Sequence, residues 1–147
     1  MVASAVGRDL AVAPGYDEMA RQHRAVRLEV VELRGMIDSC CATQRTDAYM
    51  SMLAVLVGRL RERLATHFEL EQADHLERLA RNRPELAADI ERFQQEHAAF
   101  LTQASQLSEL LRTAAAPPDT VARTMRWLDD LRRHESAEEQ FVESLRA

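Results

Sequence analysis

Residues 53–71 read LAVLVGRLRERLATHFELE. Leu53, Leu56, Leu60, Leu64, His67 and Glu71 recur at steps of three and four, which draws one stripe down an α-helix. The stripe starts apolar and ends with an imidazole and a carboxylate. His67 and Glu71 stand one helical turn apart on the same face, aimed at the same point. The motif returns as HESAE at residues 134–138, where His134 and Glu138 repeat the spacing. Two such clips in one chain raise the question of a metal.

The rest of the chain has the same period. Tyr16, Met19, His23, Val26, Val30, Leu33 and Ile37 predict a first helix of about seven turns, with His23 inside its stripe. The pattern breaks between Cys41 and Thr46, and Thr46 suits the N-cap of the helix that carries residues 53–71. Asn82 to Pro84 marks the next boundary, with Pro84 in a first helical turn. The third stripe is Leu86, Ile90, Phe93, His97, Phe100, Ala104, Leu107 and Leu111. "AAAPPD" ends it, and a fourth helix opening near Pro118 carries Val121, Met125, Leu128, Leu131, His134, Glu138, Phe141 and Leu145. Residues 1–15 lack periodicity and end in Pro14-Gly15, which predicts an irregular N-terminal arm ahead of one domain over 16–147. The expected fold is all-α, an up-down-up-down antiparallel four-helix bundle.

In such a bundle the polar stripe positions come level. With connections centred near residues 44, 82 and 116, His23 faces His67 and Glu71, His67 faces His97, and His97 faces His134 and Glu138. All six fall in a slab roughly 6 Å thick at about 1.5 Å of rise per residue. The order repeats: a helix with one histidine, then a helix with His-xxx-Glu. An approximate two-fold arrangement follows, each half offering two imidazoles and one carboxylate. His75 lies about 12 Å along the helix axis from His67 and is expected to stand off this layer. Asp74 and Tyr16 are expected near the same end of the bundle.

A single buried histidine is more often hydrogen-bonded structure than a ligand, and His/Glu at this spacing can form a plain ion pair. Six such groups in one layer of an apolar core are different, because each unpaired buried ion costs several kcal/mol against a net stability of about 5 to 15. Metal ions satisfy all six at once. Two mixed nitrogen/oxygen half-sites joined by carboxylates suit a pair of first-row ions, iron ahead of manganese or zinc. Phe93, Phe100 and Trp127 can wall the layer, although aromatic residues at helical spacing are core packing first.

These motifs together carry a resemblance. The lone histidine in RQHRAVRLE, the pair in HFELE, QEHAAFL on the third helix and HESAEE on the fourth are similar to the hemerythrin-like HHE cation-binding family, over roughly residues 16–145. The resemblance implies a four-helix bundle with a non-haem di-iron centre, oxo- or hydroxo-bridged, and names His23, His67, Glu71, His97, His134 and Glu138 as its ligands. Oxygen-carrying hemerythrins have a second histidine one turn after the third-helix histidine, where this chain has Leu101. They usually place an aspartate five residues after the fourth-helix histidine, whereas this chain offers Glu138 at four and Glu139 at five. The apolar stripe and the match to His67/Glu71 select Glu138. The missing imidazole leaves a further coordination position open.

The expected function is binding or sensing a small ligand such as O2, NO or peroxide. Two alternatives stand beside it: a di-iron enzyme of peroxide or oxygen chemistry, catalase- or oxidase-like, and a metal-free helical interaction bundle whose His/Glu layer pairs internally. Whether the protein is an enzyme is left open. Acidic residues number 24 against 19 basic ones, all arginine, for a formal charge of −5 without a basic run, which argues against nucleic acid as a partner. No apolar stretch approaches a membrane span and the first fifteen residues lack a signal-peptide pattern, so a cytoplasmic location is expected. Cys40 and Cys41 are adjacent, and a disulfide between neighbours is a strained ring, so they are expected as reduced thiols.

Overall fold

The computed structural model describes residues 16–40, 47–113 and 119–145. Among them five α-helices occur: α1 (Tyr16–Cys40), α2 (Asp47–Glu71), α3 (Glu77–Asn82), α4 (Ala87–Arg112) and α5 (Thr120–Leu145). No strand occurs among the described residues. The expectations for the arm at 1–15, for Cys41 and the Thr46 cap, for residues 114–118, and for the side chains of Tyr16, Cys40 and Asp74 fall outside the described residues.

Two connections differ from the expected plain helices. A π-helical turn, Gln72–Leu76, joins α2 to α3 without interrupting the helix. Such turns occur frequently at functional sites, and each inserts one extra residue, which rotates everything beyond Glu71. The second is the start of the third long helix. Arg83 has φ −135° and ψ 76°, outside the helical region that the following proline disfavours. Pro84 then opens a 3-10 turn, Pro84–Leu86, and α geometry begins only at Ala87. Leu86, expected on the third stripe, is therefore only partly buried.

α1 packs on α2 and α5, α2 on α4, and α4 on α5, so the four long helices enclose one interior as a helical bundle. The main core contains Val26, Leu33 and Ile37 from α1, Leu53, Val57, Leu60 and Leu64 from α2, Leu107 and Leu111 from α4, and Leu128 and Leu131 from α5. Each fully buried aliphatic side chain contributes about 1.5–3 kcal/mol. Val57 takes the core position that the sequence stripe gives to Leu56, which is partly buried against the core. A smaller cluster, Leu76, Leu79 and Ile90 with Phe141 and Leu145 packed on it, lies toward the α3 end. The chain passes from one cluster to the other through the histidine layer on α2, α4 and α5.

Polar contacts set the helix positions. Ser108 Oγ on α4 donates to Ala54 O on α2 at 3.1 Å, and a Cβ added at Gly58 would meet Ser108 Oγ at 3.7 Å. At the surface Arg63 Nε donates to Glu29 at 2.5 Å, and Arg34 pairs with Asp129. Such exposed pairs contribute at most about 1 kcal/mol each. No helix among the described residues is long and apolar enough to cross a membrane.

Candidate metal centre

All six sequence-derived candidates lie at the same level of the bundle. His23, His67 and Glu71 form one group and His97, His134 and Glu138 another, with the ligand-capable atoms of each group within 4.8 Å of one another. Five of the six are buried, and His23 on α1 is the partly exposed one. Within the first group Glu71 Oε1 is 3.0 Å from His23 Nε2 and 3.2 Å from His67 Nε2. Within the second, Glu138 Oε1 is 3.2 Å from His97 Nε2 and in contact with His134 Nε2. Glu71 also links the groups, because its Oε2 lies 3.4 Å from His97 Nε2.

The helices produce this convergence by periodicity alone. His67 and Glu71, like His134 and Glu138, are one turn apart on the core-facing stripe. His97 replaces an apolar residue between the buried Phe93 and Phe100. Glu138, not Glu139, takes the inward position on α5. Glu139 is 47% exposed, ion-pairs with Arg27, and lies 3.8 Å from His23 Nδ1.

The outer nitrogens of two imidazoles are already engaged. His67 Nδ1 donates to Gln22 Oε1 at 3.2 Å, and His134 Nδ1 donates to Glu96 Oε2 at 2.5 Å. Each neutral ring then presents its Nε2 lone pair to a carboxylate oxygen. Two acceptors face one another unless a proton or a cation stands between them. His67 Nε2, Glu71 Oε2 and His134 Nε2 are buried without a hydrogen-bond partner, although each stands within about 3.5 Å of an opposite group. His23 and His97 hydrogen-bond Glu71 and Glu138, while the Nε2 atoms of His67 and His134 converge on the same carboxylates without doing so. That is a geometry a cation completes, and the mixed imidazole and carboxylate set suits a first-row ion.

The electrostatics agree. Burial pushes Glu71 up, but the hydrogen bond from His23 and the imidazole of His67 beside it outweigh that and hold the carboxyl well below the usual range. Burial pulls His23 down, yet the Glu71 hydrogen bond and the charges of Glu71, Glu138 and Glu135 leave it above its ordinary value. His134 is likewise raised against the pull of burial, by Glu138 and Glu96. Without a cation, this layer holds itself together by taking up protons.

Several neighbours were not on the sequence-derived list. Phe68, one residue after His67, stacks on His97 with centroids 4.0 Å apart and planes at 4°. Phe93 and Phe100, which the sequence did place beside the layer, contact His134 edge-on at 5.9 and 5.1 Å. Trp127 belongs to the main core. Glu135 is buried next to the first group, raised by that burial, with Oε2 3.7 Å from Arg27 Nε. Leu101 is partly buried against the main core. His75 belongs to neither group, but it is buried and lines a cavity of about 400 Å³ together with His23, Glu71, Glu138, Phe93 and Phe141.

An all-helical bundle with two interior His/His/Glu groups defines a cation-binding helical protein. The chain belongs to the hemerythrin HHE cation-binding domain family, whose model matches residues 14–144. Comparison with curated proteins and with solved structures gives no match.

Proposed function

We propose that the protein is a non-haem di-iron protein that binds or senses a small ligand, O2, NO or peroxide. In this reading His23 and His67 hold one ion, His97 and His134 the other, and Glu71 and Glu138 lie between them. The observation that carries it is Glu71, whose two oxygens face imidazoles of both groups. Two iron ions bound there supply redox-active centres with coordination positions free for a small oxygen or nitrogen ligand. The level placement of the six residues also favours the up-down-up-down antiparallel topology, with residues 16–147 as one unit. A cytoplasmic location and the lack of a nucleic-acid or membrane partner belong to the same reading.

The chain's own residues supply the rest of the setting. Phe68, Phe93 and Phe100 exclude water from the His97/His134 side. The cavity is lined by the partly exposed His23 together with His75, Arg27 and Glu139, so polar groups border it on that side. Leu101, standing where the oxygen carriers of the family have a further imidazole, leaves another coordination position open and favours a second reading as an enzyme of peroxide or oxygen chemistry. Steady release of oxygen from added peroxide over many turnovers per centre separates the second reading from the first. His67→Ala and Glu138→Ala proteins test both, because each should bind fewer than two irons per chain and melt at a lower temperature. If both variants keep two irons, this set of ligands is wrong.

A further inference from the structure

The two halves of the layer repeat each other in geometry but not in charge. In each, the histidine of the His-xxx-Glu pair is held at Nδ1 by the residue just before the lone histidine of a facing helix. His67 is held by Gln22, which precedes His23, and His134 by Glu96, which precedes His97. The first acceptor is a neutral amide and the second a carboxylate.

This difference reaches the inner nitrogens. An Nδ1–H shared with a carboxylate leaves more electron density at Nε2, so the ring becomes a better donor, and outer partners of this kind typically change metal affinity 10–100-fold when removed. An amide acceptor orients the ring without that gain. Glu96 is 39% exposed, so its full charge is partly screened, but its hydrogen bond to the ring is direct. On the other side Glu135 is buried near His23 and His67 without a hydrogen bond to either, and Glu139, which ion-pairs with Arg27, stands 3.8 Å from His23 Nδ1, beyond hydrogen-bond distance. No described carboxylate holds the outer nitrogen of His67.

We propose that Glu96, acting through His134, makes the His97/His134/Glu138 half the tighter of the two cation sites, and that Gln22 leaves the His23/His67/Glu71 half the weaker. The proposal rests on the metal reading above and adds an order of filling to it. Glu96 is a positioning residue here, since it touches the imidazole and not the ion.

The test is titration of the metal-free protein with cobalt(II), followed by visible absorption and calorimetry, on the wild type and on Glu96→Gln, Gln22→Glu and the double exchange. The wild type should fill in two unequal steps. Glu96→Gln should weaken the tighter step about tenfold, and the double exchange should restore the inequality at unchanged net charge. In a His134→Ala background Glu96→Gln should have no effect on the remaining site, whereas a merely structural role for Glu96 would still move it. A Glu96→Gln titration that matches the wild type, or an equal loss in the His134→Ala background, overturns the proposal and leaves the metal reading intact. Absence of any cobalt binding by the wild type overturns both.

Discussion

Glu71 Oε2 lies 3.4 Å from His97 Nε2, so a carboxylate on α2 reaches from its own His23/His67 group into the facing one. No other carboxylate among the described residues lies within ion-pair distance of three imidazoles. Glu138 is in close contact with His97 and His134, and reaches His23 through its charge without touching it. The two carboxylates are related by the internal repeat, yet their positions give them unequal roles.

Glu71→Gln should therefore cost more bound metal than Glu138→Gln. The first substitution alters a carboxylate in direct contact with imidazoles of both groups, and the second one in direct contact with a single group. Metal content per chain, measured by elemental analysis after loading with ferrous iron, should fall further for Glu71→Gln. Equal losses would show that the link between the groups does not matter for binding.

The metal-free protein should be most stable in mildly acid solution. His23 and His134 have folded-state pKa values above 6.5, so their contribution is fully present below 6.5 and is lost as pH rises through the raised values. Glu135, raised above 4.5 by burial, acts in the same direction. Glu71 is lowered from 4.5, so its contribution is present above 4.5 and is lost as pH falls through the lower value. Melting temperature against pH should peak between about 4.5 and 6.5. Cation binding must displace the imidazole protons, so affinity should rise with pH through the raised histidine values and release protons measurably in weak buffer.

Phe68→Ala should destabilise the protein by about 3–5 kcal/mol, the usual cost of deleting a buried phenylalanine. The ring is buried and stacked on His97, so the loss should also free that imidazole. Phe68→Leu keeps most of the volume and should cost under about 1.5 kcal/mol. Urea unfolding with and without metal measures both, and the gap between loaded and metal-free protein should shrink for Phe68→Ala.

Gly35→Ala should stabilise the protein by about 0.5–1 kcal/mol. Gly35 is in the interior of α1 and exposed, and an added Cβ would meet nothing within 4 Å. Metal content should not change. Destabilisation would show that α1 is not a continuous helix through Gly35.

The fold was legible because helical periodicity survives without tertiary information. Along α4 every stripe position from Ile90 to Leu111 is buried. The His97 position was found the same way, as a polar residue where the stripe requires an apolar one. What the stripe missed lies one residue beside it. Phe68, Gln22, Glu96 and Glu135 are neighbours of stripe residues, and single-helix periodicity cannot say that a facing helix approaches on that side. A signal for two of them was present in the internal repeat, since Gln22-His23 aligns with Glu96-His97. The π turn after Glu71 carries no sequence mark of its own, whereas the burial of His75 suits a position four residues after Glu71 on the same stripe.

The most direct measurement is iron per chain in protein loaded with ferrous iron, taken with the near-ultraviolet spectrum before and after anaerobic reduction and readmission of air. Near two irons per chain, with bands that bleach on reduction and return in air, is the predicted result. No iron bound under any loading condition, with a melting temperature unchanged by chelator or by ferrous iron, would contradict the account and leave the six residues as a buried polar network.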